Sequence, residues 1–381
     1  MKTVVLKKCT EYNVVLIKDK LQESIDTLGG LDKYIDAGET VLLKVNLLMK
    51  KRPEEATTTH PDFVEALAMI LLDHGCHVII GDSPGGPFTV NALKGIYKAC
   101  GYEAIASRLP VELNYDVSSQ EVSNDACKII KKLSVINVMK RVDKVISVSK
   151  LKTHGMMRFT GAVKNMFGTI PGLIKAEYHF KMPGIEEFSE MLVDVCYNAT
   201  PVLSFMDGIV GMEGAGPSAG DPRQVGVILS SPSPYALDLA AVEIVGMQAS
   251  TVPTVQRCIE RGWIPEDASK LDLLGDPIQI FKINDFKIPK IGNPEFLRNA
   301  PRPIKNFADL LLKPRPVFDN NTCIGCGECA RCCPPVAIEM VNKKPKVDLE
   351  KCIRCYCCQE LCPAKAVDIH KPLLNKLFFR F

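Results

Sequence analysis

The stretch HPDFVEALAMILLDHGCHVIIGDSP (residues 60–84) decides the fold class of the long amino-terminal part of the chain. In it, Phe63, Leu67 and Ile70 recur on one face of a predicted helix, and Gly75 follows as a stop signal. The apolar run CHVIIGDSP comes directly after this helix, and a similar run, ETVLLKVN, precedes it. Short continuous apolar runs are typical of strands covered on both faces, so strand, helix and strand predict a right-handed crossover in a parallel sheet.

The same alternation continues far along the chain. It predicts an α/β domain with a layered, mostly parallel sheet, in one piece or in two lobes. Further predicted strands are DKVISVSKLKTH, which runs into a loop, PVLSFMDGI and VGVILSS, and further predicted helices are FTVNALKGIYKACG, IEEFSEMLVDVCYN, PYALDLAAVEIVG and TVPTVQRCIERG.

Four segments follow from these patterns. Residues 1–298 form the α/β domain, and residues 299–317, with four prolines, form a linker. Residues 318–372 form a small α+β domain that holds most of the cysteines. The apolar tail 373–381 is expected to dock on the protein and not to anchor it in a membrane.

Two cysteine runs share the spacing C-x2-C-x2-C-x3-C-P, as CIGCGECARCCP (323–334) and CIRCYCCQELCP (352–363). This is the spacing of a bacterial ferredoxin, whereas a zinc ribbon would have separate C-x2-C pairs. The segment therefore resembles a two-4Fe-4S ferredoxin, and the strands VAIEM and AVDIH after the runs suit a pseudo-symmetric fold.

In such a ferredoxin the fourth cysteine of each run binds the other cluster. The predicted ligands are Cys323, Cys326, Cys329 and Cys362 for cluster 1, and Cys352, Cys355, Cys358 and Cys333 for cluster 2. Two cysteines remain, Cys332 and Cys357. Each is either a small buried residue or an alternative ligand or redox-active thiol.

Composition narrows the class of protein. Sixteen cysteines in 381 residues, without a signal peptide pattern in MKTVVLKKC, predict the reducing cytoplasm of an anaerobe and not a secreted disulfide scaffold. No apolar stretch has the length of a membrane span. The formal net charge of +3 falls to about −1 with two clusters bound. The expected partners are therefore a redox protein or a small anionic substrate and not nucleic acid. The sequence leaves open whether the protein is an oligomer.

Polar side chains follow several predicted strands at the point where each strand ends. In open α/β sheets, ligands bind beyond the carboxyl ends of the strands. These side chains are Lys44, Asn46, Asp82, Ser83, Lys152, His154 and Asp207. The turn GDSPGGP could present backbone N–H groups to an anion or could be a plain tight turn.

The densest group of cations lies in KLKTHGMMRFTGAVKNMFGTIPGLIKAEYHF (150–180). Apolar residues between the cations favour a pocket for a carboxylate or phosphate over a solvated basic loop. Within this pocket Lys152, Arg158 and Lys164 are predicted to bind the anion. Asn46 and Asn165 orient it, and His154 or Glu213 supplies a proton.

Glu213 lies in GMEGAGPSAGDP (211–222), where three small residues have the spacing of a dinucleotide-binding loop. Pro217 and the following GDP stand where a helix should begin, so a loop is predicted and dinucleotide binding is not. Glu213 is then an acid, a metal ligand or a carboxylate bonded within the loop.

Seven motifs together resemble the prokaryotic family called domain of unknown function 362, which is often fused to a ferredoxin module. They are LLKVN, TTTHPDFVEAL, GDSPGG, KLKTH, TGAVKNMFG, DGIVGMEGAGPSAGDP and ALDLAAVEIVG. The large domain is also distantly similar to the amino-terminal part of nickel-pincer lactate racemases. That similarity implies His154, His179 and Lys164 as candidates for binding a cofactor and for proton transfer.

Three functions remain at this stage. The first is an oxidoreductase in which two 4Fe-4S clusters exchange low-potential electrons with an anion in the α/β domain. The second is an electron-transfer or metallocofactor-maturation partner without turnover of small molecules. The third is a racemase-like enzyme with accessory clusters. A further cofactor, a flavin or nickel, is compatible with the first and third.

Overall fold

The computed structural model describes residues 2–289, 314–370 and 372. Nine of the described strands form one sheet in the order β11-β1-β10-β9-β7-β2-β3-β4, with β8 paired to β7; β5 and β6 form a separate hairpin. The bounds are β1 (Thr3–Lys8), β2 (Thr40–Lys44), β3 (His77–Gly81), β4 (Glu112–Leu113), β5 (Ser119–Ser123), β6 (Lys132–Ile136), β7 (Lys144–His154), β8 (Arg158–Thr160), β9 (Leu203–Glu213), β10 (Asp221–Ser231) and β11 (Asp272–Gly275).

The central strands β9, β7, β2, β3 and β4 run parallel to one another, as β1 does to β11. Strand β10 is antiparallel to both of its neighbours, β9 and β1, and so joins the two parallel sets. The predicted α/β fold with a mostly parallel sheet is confirmed.

Helices cover both faces of the sheet. The first face carries α1 to α4, which pack Ile17, Phe63 and Tyr102 against strand residues such as Val148. The second carries α5, α7, α8 and α9, with Val193 and Leu237 in a separate core. The bounds are α1 (Val14–Thr27), α2 (Pro61–Asp73), α3 (Val90–Ala99), α4 (Tyr102–Arg108), α5 (Ala162–Asn165), α6 (Ile174–Lys181), α7 (Ile185–Ala199), α8 (Pro234–Ile244) and α9 (Pro253–Glu260).

Strand β7 is longer than the sequence pattern predicts. Lys152 and His154 were expected just beyond the strand, where it runs into a loop, but the strand continues to His154. The chain turns back after His154 and β8 pairs with this extension, with Lys152 opposite Thr160 and His154 opposite Arg158. The extension therefore has backbone partners that a simple strand-to-loop pattern does not show.

The cysteine-rich end repeats a short helix followed by a strand. Its elements are β12 (Arg315–Phe318), α10 (Glu328–Arg331), β13 (Ile338–Val341), β14 (Lys344–Val347), α11 (Cys357–Glu360) and β15 (Val367–His370). The predicted strands after the two runs are present, and each pairs with a different partner, β13 with β14 and β15 with β12.

The domain boundaries stay predictions. Strand β12 begins inside the segment 299–317 that was predicted as a linker. The remainder of that linker, up to residue 313, and the apolar tail 373–381 lie outside the described residues. Among the residues that are described, no helix combines the length and apolar character needed to span a bilayer.

Candidate anion pocket beside the cysteine runs

The pocket lies at the edge of the sheet where the parallel strands β2, β3, β7 and β9 end. Strand β7 extends past β2, alongside β9, and carries Lys152 and His154, two positions apart, into this edge. Helix α5 contributes Lys164, and α6 contributes Lys175 and His179. The charge of Lys164 affects each of the other four side chains, so all four lie within electrostatic range of Lys164. We call these five residues the cationic pocket.

Lys44 and Asp82 lie beneath the pocket and bind each other. The Nζ atom of Lys44 is 2.8 Å from Oδ1 of Asp82, and both side chains are buried. Lys44 also donates to the carbonyl oxygen of Asn165, while Asp82 accepts a bond from the amide of Leu47. Burial lowers the pKa of Lys44, and the charge of Asp82 opposes this effect. Both predicted anion-site residues thus support the surrounding loops.

Ser83 and Lys175 form a second support. The Ser83 hydroxyl oxygen accepts bonds from the amide of Gly172, at 2.7 Å, and from Nζ of Lys175, at 3.0 Å. Lys175 is buried, and burial lowers its pKa to about 7 although Asp82 opposes the shift. The loop before α6 is therefore tied to the end of β3 through the side chain of Ser83.

Lys152 is held by two oxygens. Its Nζ atom donates to Oδ1 of Asn46 at 2.6 Å and to the carbonyl oxygen of Thr57 at 2.7 Å. Burial, reinforced by the charge of Lys164, lowers the pKa of Lys152 to about 7. Near neutral pH this amine is divided between its charged and neutral forms, so an arriving anion would favour the charged form.

Glu360, from the cysteine-rich end, reaches into the cationic pocket. Its Oε1 atom lies 3.0 Å from Nε2 of His154, within ion-pair distance. Burial raises the pKa of Glu360, but the nearby His154 and the ammonium of Lys164 outweigh this effect and lower the pKa to about 2. The carboxylate is therefore ionised at neutral pH.

The tautomer of His154 follows from its backbone contacts. The Nδ1 atom accepts bonds from the amides of Met156, at 3.1 Å, and Met157, at 3.2 Å. The proton of the neutral ring must then be on Nε2, which faces Glu360. Burial and the charge of Lys164 lower the pKa of His154, so the neutral ring is the resting form.

Two members of the pocket lack partners. Among the described residues, Lys164 makes no hydrogen bond or ion pair, and its ammonium lies 5.8 Å from the ring centre of Phe167. The Nδ1 atom of His179 is buried without a hydrogen-bond partner, and its ring stacks on Phe188 at 4.1 Å. Burial lowers the pKa of His179 to about 3, so this ring is neutral.

The remaining predicted site residues have other roles or positions. Asn165 donates to the carbonyl oxygen of Lys44 and to Ser147, so it holds α5 against the sheet. Arg158 lies in the turn into β8 with a positive φ of 62°. The carboxylate of Glu213 accepts a bond from the amide of Lys287 and pairs with its ammonium at 3.3 Å.

Asp207 belongs to a separate buried network. Its carboxylate accepts bonds from Tyr12, at 2.9 Å, and from Lys150, at 2.7 Å. The Lys150 ammonium also donates to the Tyr12 hydroxyl oxygen at 2.7 Å. These groups satisfy one another, which is how a structural network in a protein interior behaves.

Helix α11 docks on the α/β domain beside the pocket. The Ser218 hydroxyl donates to the carbonyl oxygen of Glu360 at 2.6 Å, and Gln359 donates to the carbonyl oxygen of Ala215 at 3.1 Å. Leu361 packs so closely on Gly85 that a Cβ atom there would lie 2.8 Å from its Cδ2 atom. A larger residue at position 85 would therefore displace the Leu361 side chain where the two parts meet.

The cysteines of the first predicted set are brought together by the fold. Cys323, Cys326, Cys329 and Cys362 line one small cavity with Phe318. In the second set, Cys333 interacts electrostatically with Cys352 and Cys355. Cys358 interacts in the same way with Cys333, Cys352 and Cys355. Four soft thiols around one space are the donor set that a 4Fe-4S cluster requires, so the residues fit this group.

The two runs share a further contact and differ in exposure. The amides of Ala337 and Ala366 each donate to the sulfur of a predicted ligand, Cys333 and Cys362, at 3.2 Å. Cys326 of the first run is exposed, whereas Cys355, at the same position of the second run, is half-buried. The leftover thiols Cys332 and Cys357 are both buried and pack with Leu361, at the side that faces the α/β domain.

Sequence reasoning did not identify Glu360. The residue lies between two predicted ligands, in CCQELCP, where a polar side chain is ordinarily expected to face solvent. Its burial depends on docking of the cysteine-rich end, which local sequence does not encode. An acidic residue beside cysteines, in a chain rich in buried lysines, was the available signal.

Comparison with known proteins agrees with this architecture. Residues 41–243 match the family model described as domain of unknown function (DUF362), and residues 315–363 match a 4Fe-4S dicluster domain. The thylakoid-associated protein sll1697 of Synechocystis sp. is 30% identical over 307 residues, which cover 79% of this chain and 94% of that protein.

One solved structure is distantly similar. It is the lactate racemase apoprotein from Thermoanaerobacterium thermosaccharolyticum, with a TM-score of 0.39 and 13% identity. The match covers 65% of this chain and spans 57% of the racemase chain. At this level the similarity supports no conclusion about chemistry.

Proposed function

We propose that this chain, which belongs to the domain of unknown function 362 family and ends in a 4Fe-4S dicluster domain, is an oxidoreductase. In this proposal two 4Fe-4S clusters relay low-potential electrons to or from an anionic substrate or cofactor in the cationic pocket. The observation that carries the proposal is the position of Glu360. This residue belongs to the helix that bears a predicted cluster ligand, and its carboxylate lies among the pocket cations.

The sequence position of Glu360 brings the clusters close to the pocket. It is two residues after Cys358 and two residues before Cys362, so it adjoins a predicted ligand of each cluster. A bound 4Fe-4S cluster supplies single electrons at low potential. Because α11 is docked directly on the α/β domain, the chain keeps the electron carrier beside the pocket at high effective concentration.

Charge supports an anionic ligand. The pocket has three buried or partly buried lysines, Lys152, Lys164 and Lys175, and Glu360 is the carboxylate that faces them. Asp82 pairs with Lys44, and its charge only partly offsets those of Lys152 and Lys175. A dry site with more cations than anions favours binding of a carboxylate or phosphate group, since burial strengthens each electrostatic contact.

The pocket residues divide the work as follows. Lys164 is free to bind the anionic group, and Lys152 adds a second ammonium that Asn46 holds in place. His154 presents its Nε2 proton to the pocket and can donate it when the substrate takes up an electron. Asn165 acts at a distance, because it fixes the segment that carries Lys164.

We also propose that the protein works in a reducing cytoplasm, as in an anaerobic cell. All sixteen cysteines are free thiols in the structure. Low-potential clusters and unprotected thiols both require protection from oxidants. An external redox protein would be the second partner of the relay.

The test is anaerobic purification of the full chain, with iron and sulfide measured in the sample and small molecules extracted for mass spectrometry. We expect close to eight irons per chain, as two cubanes require, and a retained organic anion. A retained flavin or nickel would identify a further cofactor. The dithionite-reduced protein should be reoxidised by the extracted anion.

Variants separate this proposal from its alternatives. Lys164→Met and Lys152→Met should lose the retained anion and keep their iron, whereas Lys94→Met, at an exposed position, should change neither. Reduced clusters that no extracted anion reoxidises would favour the electron-transfer or maturation partner. Turnover that persists with fully oxidised clusters would favour the racemase-like enzyme. Retention of the anion by both variants would disprove the pocket assignment.

A further inference from the structure

We infer that Glu360 is an internal carboxylate ligand of the cationic pocket, and that a carboxylate substrate binds by taking its place while helix α11 stays docked. The inference deepens the proposed function and rests on it for the use of the pocket. It names the chemical class of the ligand and the step that admits it.

The first argument is that Glu360 occupies the place of an anion. Its Oε1 atom lies 3.0 Å from Nε2 of His154, and both residues are buried. Beyond its Cα atom, glutamate is a propionate group. The protein thus shows which chemistry the pocket accepts: a carboxylate on a short aliphatic chain, introduced among lysines and neutral imidazoles.

The second argument is that docking does not depend on this carboxylate. The bond from Ser218 ends on the carbonyl oxygen of Glu360, and the bond from Gln359 ends on Ala215. Leu361 adds apolar packing against Gly85. These three contacts can persist when the Glu360 side chain turns away, so the cysteine-bearing helix remains beside the pocket during exchange.

The third argument is that Glu360 leaves the pocket incompletely satisfied. Among the described residues, Lys164 and Nδ1 of His179 have no hydrogen bond. A free carboxylate can adjust its position in ways that a tethered one cannot. It would therefore gain bonds to Lys164 that Glu360 does not make, and this difference favours replacement.

An internal ligand reduces the apparent affinity for an external one. Only molecules in which Glu360 has turned away can bind, so the measured Kd equals the intrinsic Kd divided by the fraction of open molecules. Weakening the internal ligand should therefore tighten binding of an external carboxylate. A general electrostatic effect makes a different prediction, because it depends on the charge at position 360 and not on the length of the side chain that carries this charge.

The experiment compares four full-length proteins with oxidised clusters: wild type, Glu360→Gln, Glu360→Asp and Glu339→Gln. Propionate, the analogue of the Glu360 side chain, is titrated by calorimetry, with inorganic phosphate in a parallel titration. We expect propionate to bind Glu360→Gln and Glu360→Asp roughly tenfold more tightly than wild type, if about one molecule in ten is open in the wild type. Glu339→Gln makes the same charge change at an exposed position of the same region and should match the wild type.

Glu360→Asp is the decisive variant, since it keeps the charge but shortens the side chain. Equal propionate affinity in this variant and the wild type would overturn the inference, as would tighter binding of phosphate than of propionate. Absence of propionate binding in every protein would overturn it as well. Amide exchange of Gln359, Glu360 and Leu361 reports whether α11 stays folded, because these amides bond to Tyr356 and Cys357 within the helix, and propionate should leave it unchanged in the wild type. A large increase would show that exchange of the carboxylate disrupts the whole helix.

These measurements involve no electron transfer, so they fail or succeed independently of the proposed redox reaction. Iron content of each variant shows whether the cysteine-rich end is intact. A variant without iron is replaced by Glu360→Ala, for which the same tightening is expected and unchanged affinity would have the same meaning.

Discussion

The ammonium of Lys44 lies 2.8 Å from Oδ1 of Asp82, at the ends of two adjacent strands and out of reach of solvent. A Cβ atom on Gly168 would collide with both side chains, so the loop after α5 crosses directly over the pair. The pair therefore stabilises the loops beneath the pocket. Lys44 and Asp82 neutralise each other's charge before any ligand binds.

Replacing one member of this pair should be costly. Asp82→Asn would leave Lys44 buried without a counter-charge, and we expect the free energy of unfolding to fall by about 3–5 kcal/mol. Denaturant unfolding under anaerobic conditions measures the change. Asp73→Asn removes a pair with Lys18 at an exposed site and should cost at most about 1 kcal/mol. Equal losses in the two variants would contradict the assigned role of the buried pair.

Lys152 predicts a specific pH dependence of stability. Burial lowers its pKa from 10.5 to about 7, so between these pH values the unfolded chain binds one more proton than the folded chain. Stability attributable to this group therefore rises as pH increases from about 7 towards 10.5, and the cost of burying its charge is complete below pH 7.

The Lys152→Met variant tests this sign. Its free energy of unfolding, relative to wild type, should be most favourable at pH 6 to 7 and should decline by a few kcal/mol as pH rises from about 7 towards 10.5. Denaturant unfolding at several pH values provides the comparison, with Lys94→Met as the exposed control. A difference that stays constant across this range would contradict a lowered pKa for Lys152.

The crossover of cysteine ligands can be tested with neighbouring thiols. Cys333→Ala should remove the cluster bound through Cys352, Cys355 and Cys358 and halve the iron content, while the other cluster stays. Cys332→Ala, one residue earlier, should keep all the iron. Iron analysis and paramagnetic resonance of the reduced protein check both results. Loss of iron from Cys332→Ala would assign a ligand role to that thiol.

Asp238 is expected to control the position of Lys164. Its carboxylate accepts bonds from the amides of Ala162, at 2.6 Å, and Val163, at 3.1 Å, at the start of α5. Asp238→Ala leaves two buried amides unsatisfied and should cost about 1–3 kcal/mol of stability. It should also weaken retention of the pocket ligand, because Lys164 follows directly. Asp238→Asn keeps one acceptor oxygen and should show a smaller effect on both measurements.

Much of the fold was predictable because apolar runs and helical periodicity report burial locally. The strand before α2 and the strand after it lie where the pattern placed them, at Thr40–Lys44 and His77–Gly81. The lengthened β7 was not predictable, since its added partner β8 comes from the turn after His154. A local sequence pattern shows that a segment can form a strand. It does not show which other strand will pair with that segment.

The pocket was predictable only as a region. Strand ends and cation density identified Lys152, His154 and Lys164, which the fold brings together. The internal uses of Asp82 and Ser83 depend on loops that approach from elsewhere in the chain. Glu360 comes from a separate domain, so no periodicity within the first part of the chain could have placed it there.

Cys326 is exposed, whereas Glu360 is buried against the α/β domain, so the cysteine-rich end has an outer and an inner face. In the proposed relay, electrons therefore cross the cysteine-rich end between its two faces. A redox partner protein binds at the outer face, and the substrate binds at the inner face. The two encounters can then proceed at the same time without competing for a single surface.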